Sequence, residues 1–252
     1  MRARDTIPVQ WTLAVRSLSR PYPVSASMVA LLSLVPVYLL IANGVSHRTL
    51  HSPALALDRV LPLRPTWALV YGAFYLFLIA LPVFVVRRDE HIRRTFLAYL
   101  AVWITAYVCF LTYPTIAPRP DKVIGSGFAT WGLRFLYEAD PPYNCFPSLH
   151  VAHSFVSALT CYPVHRKVGV SATIAAFLVA LSTLYTKQHY VIDVGAGVLL
   201  ACIAYSVFLR GYRREQTPAR DQHLAPVFAV GTLAISAIAV ASFWIAYVVS
   251  AR

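Results

Sequence analysis

Three short polar segments interrupt an otherwise apolar chain, and between them they hold the residue types that acid–base and anion chemistry require. The third segment runs Tyr185-Thr186-Lys187-Gln188-His189-Tyr190-Val191-Ile192-Asp193. His189 and Asp193 are four apart, a spacing that stacks two side chains on one helix face. A carboxylate bonded to one imidazole nitrogen fixes the tautomer and leaves the other nitrogen's lone pair free to act. The second segment, Cys145-Phe146-Pro147-Ser148-Leu149-His150, reads as a helix start with proline at its entry. The amides that follow, with the Ser148 hydroxyl, form an anion site of the kind found at helix N-termini. His150 stands one turn in, within reach of a bound phosphate as a proton donor, and His153 follows as a packing or supporting residue. The first segment, Tyr113-Pro114-Thr115-Ile116-Ala117-Pro118-Arg119-Pro120, supplies a guanidinium suited to bidentate phosphate binding. Lys187 adds a second cation and Lys122 a less specific helper. Read singly, each segment also fits a structural role: a His–Asp brace, a capped helix start, an interfacial arginine.

The elements that must position these residues are membrane spans. Of the 252 residues, 58% are hydrophobic and only 13% charged, against about 25% charged in a soluble domain. The net charge of +12 does not form one basic stripe; arginines punctuate the apolar runs, which argues against nucleic acid and for a bilayer. A spanning helix needs about 20 apolar residues. Seven candidates result: Ser25–Ala42, Trp67–Val86, Thr95–Tyr113, Pro147–Pro163, Val168–Tyr185, Tyr190–Leu209 and Pro226–Ser250, the fourth short and partly polar. No cleavable signal peptide is evident. Before the first span, Trp11, Ala14, Val15 and Leu18 lie at helical spacing beside Arg16 and Arg20, as a short helix in the interface or a frayed tail. The chain divides into an N-terminal segment 1–24, a six-span unit 25–209, and a loop with a seventh span at 210–252. The larger share of the 22 lysines and arginines falls on the side of the N-terminus, which predicts that side cytoplasmic and all three polar segments on the opposite, non-cytoplasmic face of a cytoplasmic membrane. Cys109, Cys161 and Cys202 sit in apolar runs, Cys145 sits in a connecting segment, and none has metal-type spacing.

The three segments resemble the signature of the type 2 phosphatidic acid phosphatase superfamily, whose pattern is K-x6-R-P, then P-S-G-H, then S-R-x5-H-x3-D. Arg119-Pro120 matches the end of the first, Pro147-Ser148-Leu149-His150 the second with Leu for Gly, and Ser182, His189 and Asp193 the third. The first Lys falls at Thr112 and the third-motif Arg at Thr183, so both family cations are absent, with Lys187 as a candidate replacement for one. The P-S-L-H and H-Y-x-x-D forms resemble the inositol phosphorylceramide synthase branch of the aureobasidin-resistance type. The resemblance covers about Thr95 to Leu209. It implies an all-α, polytopic transmembrane bundle with a six-helix phosphatase-type core; the seventh hydropathy span then stands as an extra C-terminal one. It implies a lipid phosphate substrate, no cofactor and no metal. His189 would be the nucleophile that becomes phosphohistidine, Asp193 its orienter, and His150 the acid and then the base. Arg119, Ser148, Lys187 and Lys122 would bind phosphate. Headgroup transfer is slightly favoured over hydrolysis of a lipid phosphate or isoprenoid diphosphate. Between Asp121 and Cys145, aromatic residues mixed with charges predict an interfacial helix near Thr130–Tyr137. A haem or metal protein with His150 and His189 as ligands is the alternative of another class, and it leaves Arg119, Lys187 and Asp193 unexplained.

Overall fold

The computed structural model describes residues 22–250, so the helix expected around Trp11 to Leu18 lies outside the described residues. What is described is all-α. In chain order the helices are α1 (Tyr22–Leu32), α2 (Leu34–Val45), α3 (Ala56–Val60), α4 (Trp67–Val85), α5 (Asp89–Thr112), α6 (Phe128–Ala139), α7 (Leu149–Cys161), α8 (Arg166–Tyr185), α9 (Val191–Ala204, running into a π turn at Tyr205–Leu209) and α10 (Ala219–Ser250). Among the described residues, six stretches are long and apolar enough to cross a membrane: Val24–Val45, α4, α5, α8, Val191–Leu209 and α10. The first is broken at Ser33, because Pro36 has no N–H to donate back to Leu32 and its ring crowds that turn. α5 begins earlier than its apolar run suggests, since Asp89 and Glu90 in its first turn complement the helix dipole.

The expected fourth span is instead the 13-residue α7, about 20 Å long at 1.5 Å per residue and short for a hydrocarbon core of about 30 Å. It survives because it never meets lipid: α4, α5, α8 and α9 all pack around it. Protein enclosure also explains its polarity. Ser157 Oγ donates to the Leu78 carbonyl at 2.6 Å, Thr160 Oγ1 bonds Thr95 Oγ1 at 2.6 Å, and His91 Nε2 lies 3.1 Å from Thr160 Oγ1. A buried hydroxyl left without a partner costs about 1–3 kcal/mol, so these bonds fix how α4 and α5 seat on α7. Val151 and Val156 on α7 join Leu78, Leu81, Val102 and Phe110 in the core. Outward-facing Leu40, Leu199 and Ile238 are largely exposed, as a bilayer solvent requires. α1 and α2 pack on α5, and α10 packs on α4 and α6.

The chain reversals sort to two ends. At one, Arg87 pairs with Asp221 at 3.6 Å and Arg94 Nη1 donates to the Phe208 carbonyl at 3.2 Å. At the other, Trp67 stacks on Tyr185 at 4.9 Å, and an isolated bridge pairs His51 with Thr115. The three polar segments all lie at this second end. There α9 approaches the start of α7 closely. A Cβ on Gly197 would stand 2.7 Å from the Ser148 carbonyl oxygen and 3.1 Å from Val151 Cβ, and the first of these is rigid backbone. Gly195 has nothing within 4 Å. Gly197→Ala is therefore expected to cost about 1–3 kcal/mol by overpacking, read as a lowered unfolding temperature in detergent. Gly195→Ala should unfold no lower than the parent.

Candidate active site

The turn from α8 to α9 sets the third segment. The Lys187 amide bonds the Leu184 carbonyl at 3.1 Å and the Gln188 amide bonds the Thr183 carbonyl at 2.9 Å, the paired bonds of a Schellman helix end. Such an end needs a left-handed residue, and Lys187 occupies it at φ 55°, where glycine is the ordinary choice. The chain reverses in the five residues between Tyr185 and Val191, so His189 stands just before α9 with Tyr190 as its cap. Asp193 does not stack with His189 on a helix face, as the spacing alone suggests; it reaches back from the third helical position. Its Oδ2 accepts from the Tyr190 amide at 2.9 Å and lies 3.5 Å from His189 Nδ1. Asp193 is fully enclosed, and its backbone carbonyl accepts from the Ser148 amide at 3.1 Å. The helix N-terminus offsets part of the cost of burying that charge.

The second segment meets it there. His150 Nδ1 and His189 Nε2 are 3.2 Å apart, and His189 Nδ1 lies 3.0 Å from the Cys145 carbonyl. A carbonyl oxygen only accepts, so His189 Nδ1 carries the hydrogen and Nε2 presents a lone pair. The Cys145 carbonyl is aimed by Thr115, whose Oγ1 accepts from the amides of Cys145 and Phe146 at 3.1 and 3.0 Å. The His150 ring is boxed by the edges of Tyr71 and Tyr75 at 5.3 and 4.9 Å. Burial first, and Asp193 second, push the Cys145 thiol well up, so it stays a neutral thiol and not a nucleophile.

Arg119 reaches the same place from the first segment. Its Nη1 donates to the carbonyls of Tyr137 and Asp140 at 3.2 and 2.7 Å, its Nη2 donates to Gln188 Oε1, and the guanidinium lies 4.5 Å over the Tyr137 ring. Burial pushes the Tyr137 phenol up to about 12, with Arg119 pulling the other way. The hydroxyl thus keeps its proton and donates to the Thr186 carbonyl at 2.6 Å. The helix expected near Thr130–Tyr137 is α6, and its C-terminal cap is Asp140.

The structure brings His150, His189, Asp193 and Arg119 together and gives the other expected residues different partners. The Ser148 hydroxyl caps α7, accepting from the Val151 amide at 3.3 Å. Lys187 Nζ donates to the Asp58 carbonyl at 3.0 Å, which ties the turn to α3. Lys122 lies in a surface depression with Arg134 and Glu138. His153 faces Tyr99 and Trp103 at 4.9 and 5.2 Å. Sequence reasoning missed Asp140, Gln188, Tyr71 and Tyr75. Only Gln188, adjacent to His189, carried a signal that could have found it.

An apolar groove of about 410 Å³ ends at this cluster. Met28, Leu31, Val35, Ile79, Phe96 and Trp103 line it, and it closes on His150. It follows α4 from Tyr75 to Val86, the residue just past that helix's end, and α5 from Trp103 to Ile92, about 16 Å at 1.5 Å per residue.

Comparison with known proteins agrees with this geometry. A family model described as the PAP2 superfamily matches residues 49–207. A PA-phosphatase related-family protein of Dictyostelium discoideum is 28% identical over 133 residues, 48% of this chain. The matched stretch covers 24% of that relative's length. No solved structure matches the chain. Because the family match takes in more than half of the chain and all three segments that converge on the histidine pair, this chain belongs to the PAP2 superfamily.

Proposed function

We propose that the protein moves the phosphate group of a lipid ester through a phosphohistidine, with transfer of a phospho-headgroup to a second alcohol as its main reaction. The observation that carries this reading is the histidine pair, 3.2 Å apart, standing at the closed end of an apolar groove, which we read as the seat of a hydrocarbon chain. His189 Nε2 attacks phosphorus; the P–N bond forms as the P–O bond to the leaving alcohol breaks. His150 gives that oxygen its proton. In the second half His150 takes the proton of the acceptor hydroxyl, the acceptor oxygen attacks phosphorus, and the P–N bond breaks. Arg119 and the first-turn amides of α7 hold the phosphate oxygens, since phosphoryl transfer depends chiefly on positioning and charge stabilisation. The Pro147-Ser148-Leu149-His150 and His189-Tyr190 forms support transfer, as does the small exposure of His189, 5%, which limits water. Hydrolysis is the second reading, supported by the phosphatase wording of the relative's name. The excess of cations at the end opposite the cluster supports a site on the non-cytoplasmic face.

Two outcomes test this reading in liposomes of defined composition. His189→Ala should take turnover of every lipid phosphate offered to background, and His150→Ala should lower it by about 10² to 10⁴-fold. Parent protein quenched during turnover of a ³²P-labelled substrate should hold acid-labile label that His189→Ala lacks, and chelators should leave the rate unchanged. Product that forms only with an added diacylglycerol or ceramide marks transfer; free phosphate without one marks hydrolysis. Filling the groove midway, by Met28→Trp, should raise KM for long-chain esters about tenfold or more while sparing dihexanoyl esters, since a buried methylene is worth about 0.8 kcal/mol.

A further inference from the structure

The reaction needs an acidic proton on His150 at the moment the first alcohol leaves, and a neutral imidazole holds its one N–H too tightly to supply it. With His189 ready to attack, its Nε2 holds a lone pair, so His150 Nδ1, 3.2 Å away, holds the hydrogen between them. The other His150 nitrogen, Nε2, faces Asp140 Oδ2 at 3.9 Å. In neutral His150 that nitrogen would turn a lone pair toward a carboxylate. With a second proton it becomes a donor facing an anion at ion-pair distance. Nothing about Asp140 is loose: Tyr38 Oη donates to its Oδ1 at 2.8 Å, Arg119 Nη2 lies 3.8 Å from its Oδ2, and its amide closes α6 on the Leu136 carbonyl at 3.1 Å. The Tyr38 backbone carbonyl is itself held by Asn144 Nδ2 at 3.1 Å.

We propose that Asp140 is a positioning residue for the general acid, doing for His150 what Asp193 does for His189. Each histidine then has its own carboxylate. Asp193, together with the Cys145 carbonyl, keeps the hydrogen on His189 Nδ1, so that Nε2 can turn its lone pair from the His150 hydrogen to phosphorus. Asp140 holds a hydrogen on His150 Nε2, so that Nδ1 can release its own to the leaving oxygen and the ring returns to neutral. The proton lost by His150 is the one gained by the alcohol, and it comes back from the acceptor in the second half of the cycle. Asp140 touches neither phosphate nor alcohol; it acts through the ring. This rests on the phosphoryl-transfer reading above.

The test exploits the leaving group. Hexadecyl phosphate loses an alkoxide, which needs a proton as it departs, whereas 4-nitrophenyl phosphate loses a stable phenoxide that needs none. The ratio kcat/KM reports the step that forms the phosphohistidine, whichever later step limits kcat. Asp140→Asn is expected to lower kcat/KM about 100-fold on the alkyl ester and less than tenfold on the aryl ester, with Asp140→Glu restoring part of the alkyl rate. Tyr38→Phe, which frees the carboxylate without removing it, should show the same selective loss at smaller size, and it serves where Asp140→Asn does not fold. Equal losses on both esters would reduce Asp140 to an anchor for Arg119 and overturn the proposal, as would full activity of both variants on both esters. Each ester is offered with diacylglycerol as acceptor, so a parent that consumes neither overturns the phosphoryl-transfer reading and this inference with it.

Discussion

A helix of 13 residues that carries two histidines and three hydroxyls can exist in a bilayer only if protein surrounds it on every side. Lipid offers no partners to hydroxyls, and a helix so short cannot reach both interfaces. The rest of the bundle follows from meeting that demand. α4, α5, α8 and α9 form the wall, and each hydroxyl on the inner face finds an oxygen on a wall helix or its own backbone. The wall must also come close. At Gly197 the backbone of α9 leaves no room for a methyl group, and this contact brings the Asp193 carbonyl onto the Ser148 amide. The histidine pair is a consequence: one ring stands on the enclosed helix, the other on the wall, and the glycine sets the gap between them.

Enclosure fixes the electrostatics as well. Two carboxylates, Asp140 and Asp193, lie close to two imidazoles and one guanidinium in a region that water barely enters. In such surroundings interactions between charges are stronger than in bulk water, and removing one partner of a buried pair costs more than the pair returns. Arg119 shows the balance. Its donors already meet the carbonyls of Tyr137 and Asp140 and the Gln188 amide oxygen, so a phosphate entering the site competes with those neutral partners. Exchange toward an anion is favourable, because a guanidinium can meet two phosphate oxygens at once with opposite charges facing each other. The bound carbonyls keep the arginine aimed, and under the proposed function they are the partners a phosphate would displace.

How far sequence alone reaches depends on whether a relation is local. The His189 to Asp193 spacing, the proline-led start of α7 and Arg119-Pro120 are short patterns, so the residues the structure gathers could be named from order and spacing. The spans were legible because hydropathy sets them, and α5 was drawn short only because its first turns are charged. The Lys187 backbone was not legible: the left-handed position of a helix end is glycine's usual place, and a lysine there gives no signal while its side chain reaches Asp58 far along the chain. Asp140 was hidden for a different reason. It stands ten residues before His150 among aromatics and ordinary charges, and its contact with His150 exists only because α6 folds back over the cluster. That path is tertiary, and periodicity carries no trace of it.

The last span shows why α6 stays in place. α10 lies beyond the residues that the family match covers, yet it bears on the site through one continuous line of contacts. Its N-terminal end is held by the Arg87–Asp221 pair, its length packs on α4, and near its C-terminal end Phe243 meets Phe135 at 5.2 Å while Tyr247 meets Phe128 and Trp131 at 5.7 and 5.9 Å. Those three aromatics are the apolar face of α6, and α6 ends on Tyr137 and Asp140. The carbonyls of these two residues orient Arg119, and the Asp140 carboxylate faces His150. Without α10 the aromatic face of α6 would have lipid in place of a rigid partner, and a small roll of that amphipathic helix would move the arginine and the carboxylate together. α10 thus bears on the candidate site through leverage, by fixing the angle at which the Arg119 guanidinium and the Asp140 carboxylate are presented.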